Sequence, residues 1–115
     1  MATEVLVTTE FERWWDGLLV EEQKSVAVVV ALLEERGTAL PFPYSSSITA
    51  STKLRELRVQ HAGKPYRVLY AFDPRRKAVL LLGGNKTGND RWYNTQVPKA
   101  EKLFAAYIKE SKQSK

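Results

Sequence analysis

The sequence predicts an α+β domain: a small mixed or antiparallel sheet of about four strands, with two helices before its main part and one helix after it. Three observations predict this. The stretch from Lys53 to Lys86 holds three β-type runs joined by two short turns. Helical patterns flank that stretch, two on its N-terminal side and one after Pro98. The 115 residues are 43% apolar and 27% charged, which suits one domain over residues 1–115 with a core of its own.

The elements follow in chain order. Glu4 to Val7 is a short first strand. Thr9 followed by Glu12 fits a capping box, with Thr9 as N-cap of a helix that stops near Gly17. Trp14 and Trp15 are adjacent on that helix, so they cannot point the same way; one is expected in the core and the other at an edge or a partner surface. Leu19 to Arg36 reads as a second helix, with Glu21 and Glu22 in its first turn and Gly37 at C′. Val26 to Val30 has strand propensity, but the capping signs and the length favour helix. Thr38 to Thr52 is expected to be a long connector, because Pro41 and Pro43 forbid a continuous helix and Ser45-Ser46-Ser47 is polar.

Lys53 to Gln60 is then a strand with Arg55, Leu57 and Val59 on one face and Glu56, Arg58 and Gln60 on the other. After a turn at His61-Ala62-Gly63-Lys64, Pro65 to Phe72 alternates Tyr66, Val68, Tyr70 and Phe72 against Arg67, Leu69 and Ala71. Asp73-Pro74-Arg75-Arg76 is a type I turn signal, and Ala78 to Leu82 is apolar throughout, as in a central strand buried on both faces. Asn89 to Gln96 is expected to be a polar loop. Pro98 fits N1 of a last helix whose stripe is Ala100, Leu103, Phe104, Tyr107 and Ile108, with a frayed tail after Ser111.

Charge is distributed unevenly. Residues 1–51 hold three Lys/Arg and eight Asp/Glu, a net −5; residues 52–115 hold fifteen Lys/Arg and five Asp/Glu, a net +10. Such a division suits either a polyanion-binding half or a solvated basic surface. Charged residues inside apolar strands must face solvent or a partner, since burying them unpaired is costly. The chain has no cysteine and one histidine, so neither disulfide nor thiolate chemistry is available and a zinc site is not expected. No basic n-region opens the chain and the apolar run Val26–Leu33 is too short to span a bilayer, so a cytoplasmic protein without membrane contact is expected.

No Ser-His-Asp or Cys-His arrangement is supported. Gly83-Gly84-Asn85-Lys86-Thr87-Gly88 lacks the order of a phosphate-binding loop, which needs Lys directly after its last glycine. Its glycines let the backbone approach a ligand closely. Arg91, Trp92 and Tyr93 combine a cation with two aromatics, suited either to base stacking and phosphate contact or to capping the core. What remains is a set of Lys and Arg with His61 and tyrosines. Such a set stabilises the charge of a phosphorane-like transition state. RNA brings its own nucleophile, the 2′-OH, so this chemistry needs no metal and no cofactor, only orientation, charge stabilisation and a general acid or base.

Lys53-Leu54-Arg55-Glu56-Leu57-Arg58, then Tyr66-Arg67-Val68-Leu69-Tyr70, then Val79 to Thr87 resemble the RelE/ParE superfamily of toxins, in particular its HigB-like, phage-derived branch. The order of elements resembles that family over nearly the whole chain. The resemblance implies a toxin of a type II toxin–antitoxin pair, an endoribonuclease that cuts mRNA on the ribosome and is neutralised by a helix-turn-helix antitoxin. By position it implies a catalytic set of Lys53, Arg58, Arg67 and Lys86, with His61, Arg91, Trp92 and Tyr93 as RNA-binding residues and Glu56 orienting Arg58. Asn85 stands where that branch often has a lysine, and the segment from Gly88 to Gln96 is longer than its usual counterpart. The same fold also serves a topoisomerase poison or an inactive module that only binds antitoxin.

Overall fold

A computed structural model describes residues 2–113. The strands are β1 (Val5–Val7), β2 (Ser45–Ile48), β3 (Ser51–His61), β4 (Lys64–Phe72) and β5 (Ala78–Asn85). The helices are α1 (Thr9–Asp16), α2 (Val20–Arg36) and α3 (Trp92–Gln113), with a 3₁₀ turn at Gly37–Ala39. The strands form one sheet in the order β1-β5-β4-β3-β2. β1 runs parallel to β5, and the other pairings are antiparallel. The fold is therefore the expected α+β type, with five strands instead of about four.

The extra strand is β2. Ser45-Ser46-Ser47 lies within the predicted connector, yet it pairs with Leu57, Glu56 and Arg55. Tertiary pairing overrides its weak propensity, because Ser45 Oγ is 2.6 Å from the buried Tyr70 hydroxyl and accepts from Arg55 Nε at 3.2 Å. The turn between β3 and β4 closes on Ala62 and Gly63, both at positive φ, as a two-residue hairpin requires.

Two helix starts differ from expectation. The N-cap of α1 is Thr8, not Thr9: its Oγ1 accepts from Phe11 N at 3.0 Å and donates to Leu81 O at 2.6 Å, which ties the cap to the sheet. Helix α3 starts at Trp92 and carries Pro98 in its interior, so residues 92–96 are helix rather than loop. Tyr93 and Val97 extend the Ala100, Phe104, Tyr107 stripe backwards at helical spacing, and burial of that stripe outweighs the missing Pro98 N–H. The tail beyond residue 113 lies outside the described residues.

Each sheet face has its own core. Leu57, Val59, Tyr66, Val68, Tyr70 and Leu80 pack under α1 and α2. Leu54, Leu69, Ala71, Val79 and Leu81 pack with Trp92, Val97 and Ala100 of α3. Trp14 and Trp15 are both half-buried against the first core, so neither enters it fully. Gly83 and Gly84 serve this packing: a Cβ on Gly83 would stand 2.3 Å from the Trp14 ring, and one on Gly84 2.7 Å from Trp92 Nε1. Their closeness is to the chain's own tryptophans. Among the described residues, no helix is long and apolar enough to cross a membrane.

Candidate functional site

Strand alternation sends Glu56 and Arg58 of β3 and Arg67 of β4 to the α3 side of the sheet. Arg58 and Arg67 are direct cross-strand neighbours. Like charges so placed repel, and a shared counter-charge is needed. Glu56 supplies it. Its Oε2 is 3.3 Å from Arg58 Nη1, and its Oε1 is 3.6 Å from Arg67 Nε. Glu56 is only 5% exposed and Arg67 4%. Arg67 Nη1 also donates to the Tyr66 carbonyl at 3.0 Å, but its Nε has no hydrogen-bond partner.

The first turn of α3 closes over this pair. Tyr93 donates its hydroxyl to Glu56 Oε1 at 2.5 Å. Burial, then the hydrogen bond to Glu56, pushes the Tyr93 pKa up, against a smaller opposing effect of Arg67. Tyr93 therefore stays a protonated donor at neutral pH. Lys86, just beyond β5, holds its Nζ 5.6 Å from the Tyr93 ring centroid, and Arg58 lies over the Phe42 ring at 5.1 Å. Trp92, edge-on to Tyr93, reaches the sheet through the space that Gly84 leaves open. A cavity of about 330 Å³ opens over Glu56 and Tyr93, walled by Ser47 to Ala50 of the β2–β3 hairpin.

Two arginines thus share one carboxylate, and a third cation, Lys86, stands over the Tyr93 ring that caps it, next to the cavity that Glu56 and Tyr93 line. Such a set can bind a phosphate and stabilise added negative charge on it.

Of the residues expected from sequence, Arg58, Arg67, Lys86 and Tyr93 come together. Glu56 contacts Arg58, and it also contacts Arg67 and Tyr93. Trp92 does not offer a stacking face: it is 5% exposed within the second core. His61 faces the other side of the sheet, where its Nδ1 is 2.8 Å from Ser25 Oγ of α2 and its ring meets Tyr66 edge-on. His61 follows Leu57 and Val59 in alternation, and those residues point to the α1/α2 face, which explains the separation. Arg91 is exposed in the turn before α3, and no contact among the described residues joins its side chain to the cluster. Lys53 lines a different groove, between β3 and the C-terminal half of α3. The role of Phe42 carried no sequence signal, since it stands in a Pro-flanked loop far from the strands.

The description "phage-derived protein Gp49-like" matches residues 13–105. The chain belongs to this Gp49-like family. Its relatives include a proposed toxin, HigB3 of Mycobacterium tuberculosis, 41% identical over 100 residues that span 84% of this chain and 86% of HigB3. Another proposed toxin of that organism, HigB2, is 34% identical over 115 residues, covering 94% of this chain and 57% of the longer HigB2. The fold matches a double arginine-to-alanine mutant of the E. coli toxin RelE in its free state, with TM-score 0.62 and 13% identity over 86% of this chain and 98% of RelE. This Gp49-like protein is a HigB-like toxin with the fold of RelE.

Proposed function

We propose that this toxin is a metal-independent endoribonuclease that cuts mRNA on ribosomes in the cytoplasm and is neutralised by a helix-turn-helix antitoxin. The observation that carries the reading is the convergence of Arg58, Arg67 and Lys86 on Glu56 and Tyr93 beside an open cavity. In the proposed reaction the RNA 2′-hydroxyl gives its proton to a general base and its oxygen bonds to the adjacent phosphorus, as the bond to the 5′-oxygen breaks and that oxygen takes a proton from a general acid. Arg58, about a third exposed, and Lys86, half-buried, meet the charge that develops on the phosphoryl oxygens. Arg67 is too buried to reach substrate directly, so its role is to hold Glu56 and thereby Arg58. Exposed Arg91, which does not join the cluster, is a further candidate phosphate contact.

The test is induced expression with mapping of new RNA 5′ ends, paired with cleavage by purified protein on translating ribosomes. The parent is expected to generate new ends and arrest growth. Arg58→Ala and Lys86→Ala are each expected to lower cleavage by about 10²–10³-fold. Growth arrest without new RNA ends would sink the nuclease reading and favour a poison of another target.

A further inference from the structure

The groove that holds Lys53 is not part of the cluster around Glu56. It has a volume of about 540 Å³ and runs between β3 and α3. Its floor is apolar, made by Leu54, Phe104 and Ile108, and its rim carries Lys53, Lys109 and Lys112. Lys109 and Lys112 are three apart on α3 and so share one side of the helix. All three lysines are exposed, and among the described residues none of them is in an ion pair. The one carboxylate on the rim, Glu101, accepts from the Ser51 hydroxyl at 3.0 Å. Lysines that merely solubilise a surface need no apolar floor between them. A cationic rim over an apolar floor is what single-stranded nucleic acid requires: phosphates at the edge and a base laid on the floor. Lys53 and Glu56 lie three residues apart on β3, across its irregular pairing with β2. One extended strand of RNA can therefore follow β3 from groove to cluster.

We propose that this groove is an accessory site for single-stranded RNA, which holds the strand flanking the phosphate bound at Arg58 and Lys86. The inference rests on the RNA-directed reading but does not need cleavage to occur. Its test uses the full chain and a fluorescent 2′-O-methyl oligouridine, which lacks the nucleophile, so a failure of the nuclease reading leaves the measurement intact. Binding is followed by anisotropy over a salt series. Lys109→Gln/Lys112→Gln is expected to weaken binding at low salt about tenfold and to reduce the salt slope by about 1.4, two contacts at about 0.7 each. Lys102→Gln, an exposed position of α3 outside the groove, is expected to leave the slope unchanged. Methyl resonances of Leu54 and Ile108 are expected to shift on titration of the parent. An unchanged slope in the double variant, or no shift at those methyls, overturns the proposal. Displacement of RNA by poly-glutamate at lower charge concentration than by unlabelled RNA also overturns it, and reassigns the groove to an acidic protein.

Discussion

The two faces of this one sheet solve the same packing problem with different means. Under α1 and α2, β3 and β4 present Leu57, Val59, Val68 and Tyr70, and polar groups are kept to the margins. Under α3, the same strands present Leu54, Leu69 and Ala71, but between them and the hairpin tip lie Glu56, Arg58 and Arg67. The first face is a core that needs nothing further. The second interrupts its core with a buried ion network, which contributes less to stability than apolar packing of equal volume would. A buried ion network kept on one face only is what favours that face for the proposed chemistry.

Glu56 breaks this comparison most strongly. Glu56→Ala leaves Arg67 buried without its counter-charge and is expected to destabilise the protein by about 3–5 kcal/mol, measured by urea unfolding. The double substitution Glu56→Leu/Arg67→Met replaces the network by apolar volume. It is expected to recover most or all of that loss without supporting the proposed cleavage. If the double variant is as unstable as Glu56→Ala, the network is a structural necessity and the contrast between the faces fails.

Much of this division is legible in the sequence. The alternation of β3 already separates Arg55 from Glu56 and Arg58, while the hairpin register that adds Arg67 to their side comes from the structure. The same alternation, extended one residue to His61, places that ring on the far face. The sequence does not reveal which side α3 covers or where it begins. Pro98 imitates a helix start, and only burial of Trp92, Tyr93 and Val97 shows that the helix begins earlier. Tyr93 therefore reads as a loop aromatic until the helix hands its hydroxyl to Glu56. Gly83 and Gly84 likewise suggest ligand approach, because tryptophans 69 and 8 residues away in the chain are invisible to local pattern.

Those two glycines offer the next test, since each serves a different face. Gly83→Ala drives a methyl into the Trp14 ring and Gly84→Ala drives one into the Trp92 indole. Each is expected to cost about 1–3 kcal/mol by urea unfolding. The functional outcomes should diverge. Trp14 is half-buried on α1 and its displacement leaves the Glu56 cluster alone, so folded Gly83→Ala is expected to retain cleavage. Trp92 abuts Tyr93, so Gly84→Ala is expected to lower it. Equal cleavage by the two folded variants would show that Tyr93 is not held by this packing.

The finest test compares two tyrosine–glutamate pairs, one on each face. Tyr93 donates to buried Glu56, and Tyr66 donates to Glu22 at the start of α2. Loss of a hydrogen bond to a buried charge costs about 1.5–3 kcal/mol, so Tyr93→Phe is expected to fall in that range. Tyr66→Phe is expected to cost less at pH 7, because water can replace the donor on solvated Glu22. Its pH dependence is the sharper signature. The hydrogen bond from Tyr66, with a further one from Leu19 N, holds the Glu22 pKa below its ordinary 4.5. A depressed carboxyl contributes stability above that ordinary value, and the contribution is lost as pH falls through the lowered one. The Tyr66 pKa is raised above 10.0, first by the hydrogen bond to Glu22 and then by burial, so its contribution holds below 10.0 and is lost as pH rises through the raised value. The stability gap between the parent and Tyr66→Phe is therefore expected to be widest between those limits and to close at both ends. Urea midpoints across the acid limb measure it. A gap independent of pH would mean that the Tyr66 hydroxyl acts through something other than its bond to the Glu22 carboxylate.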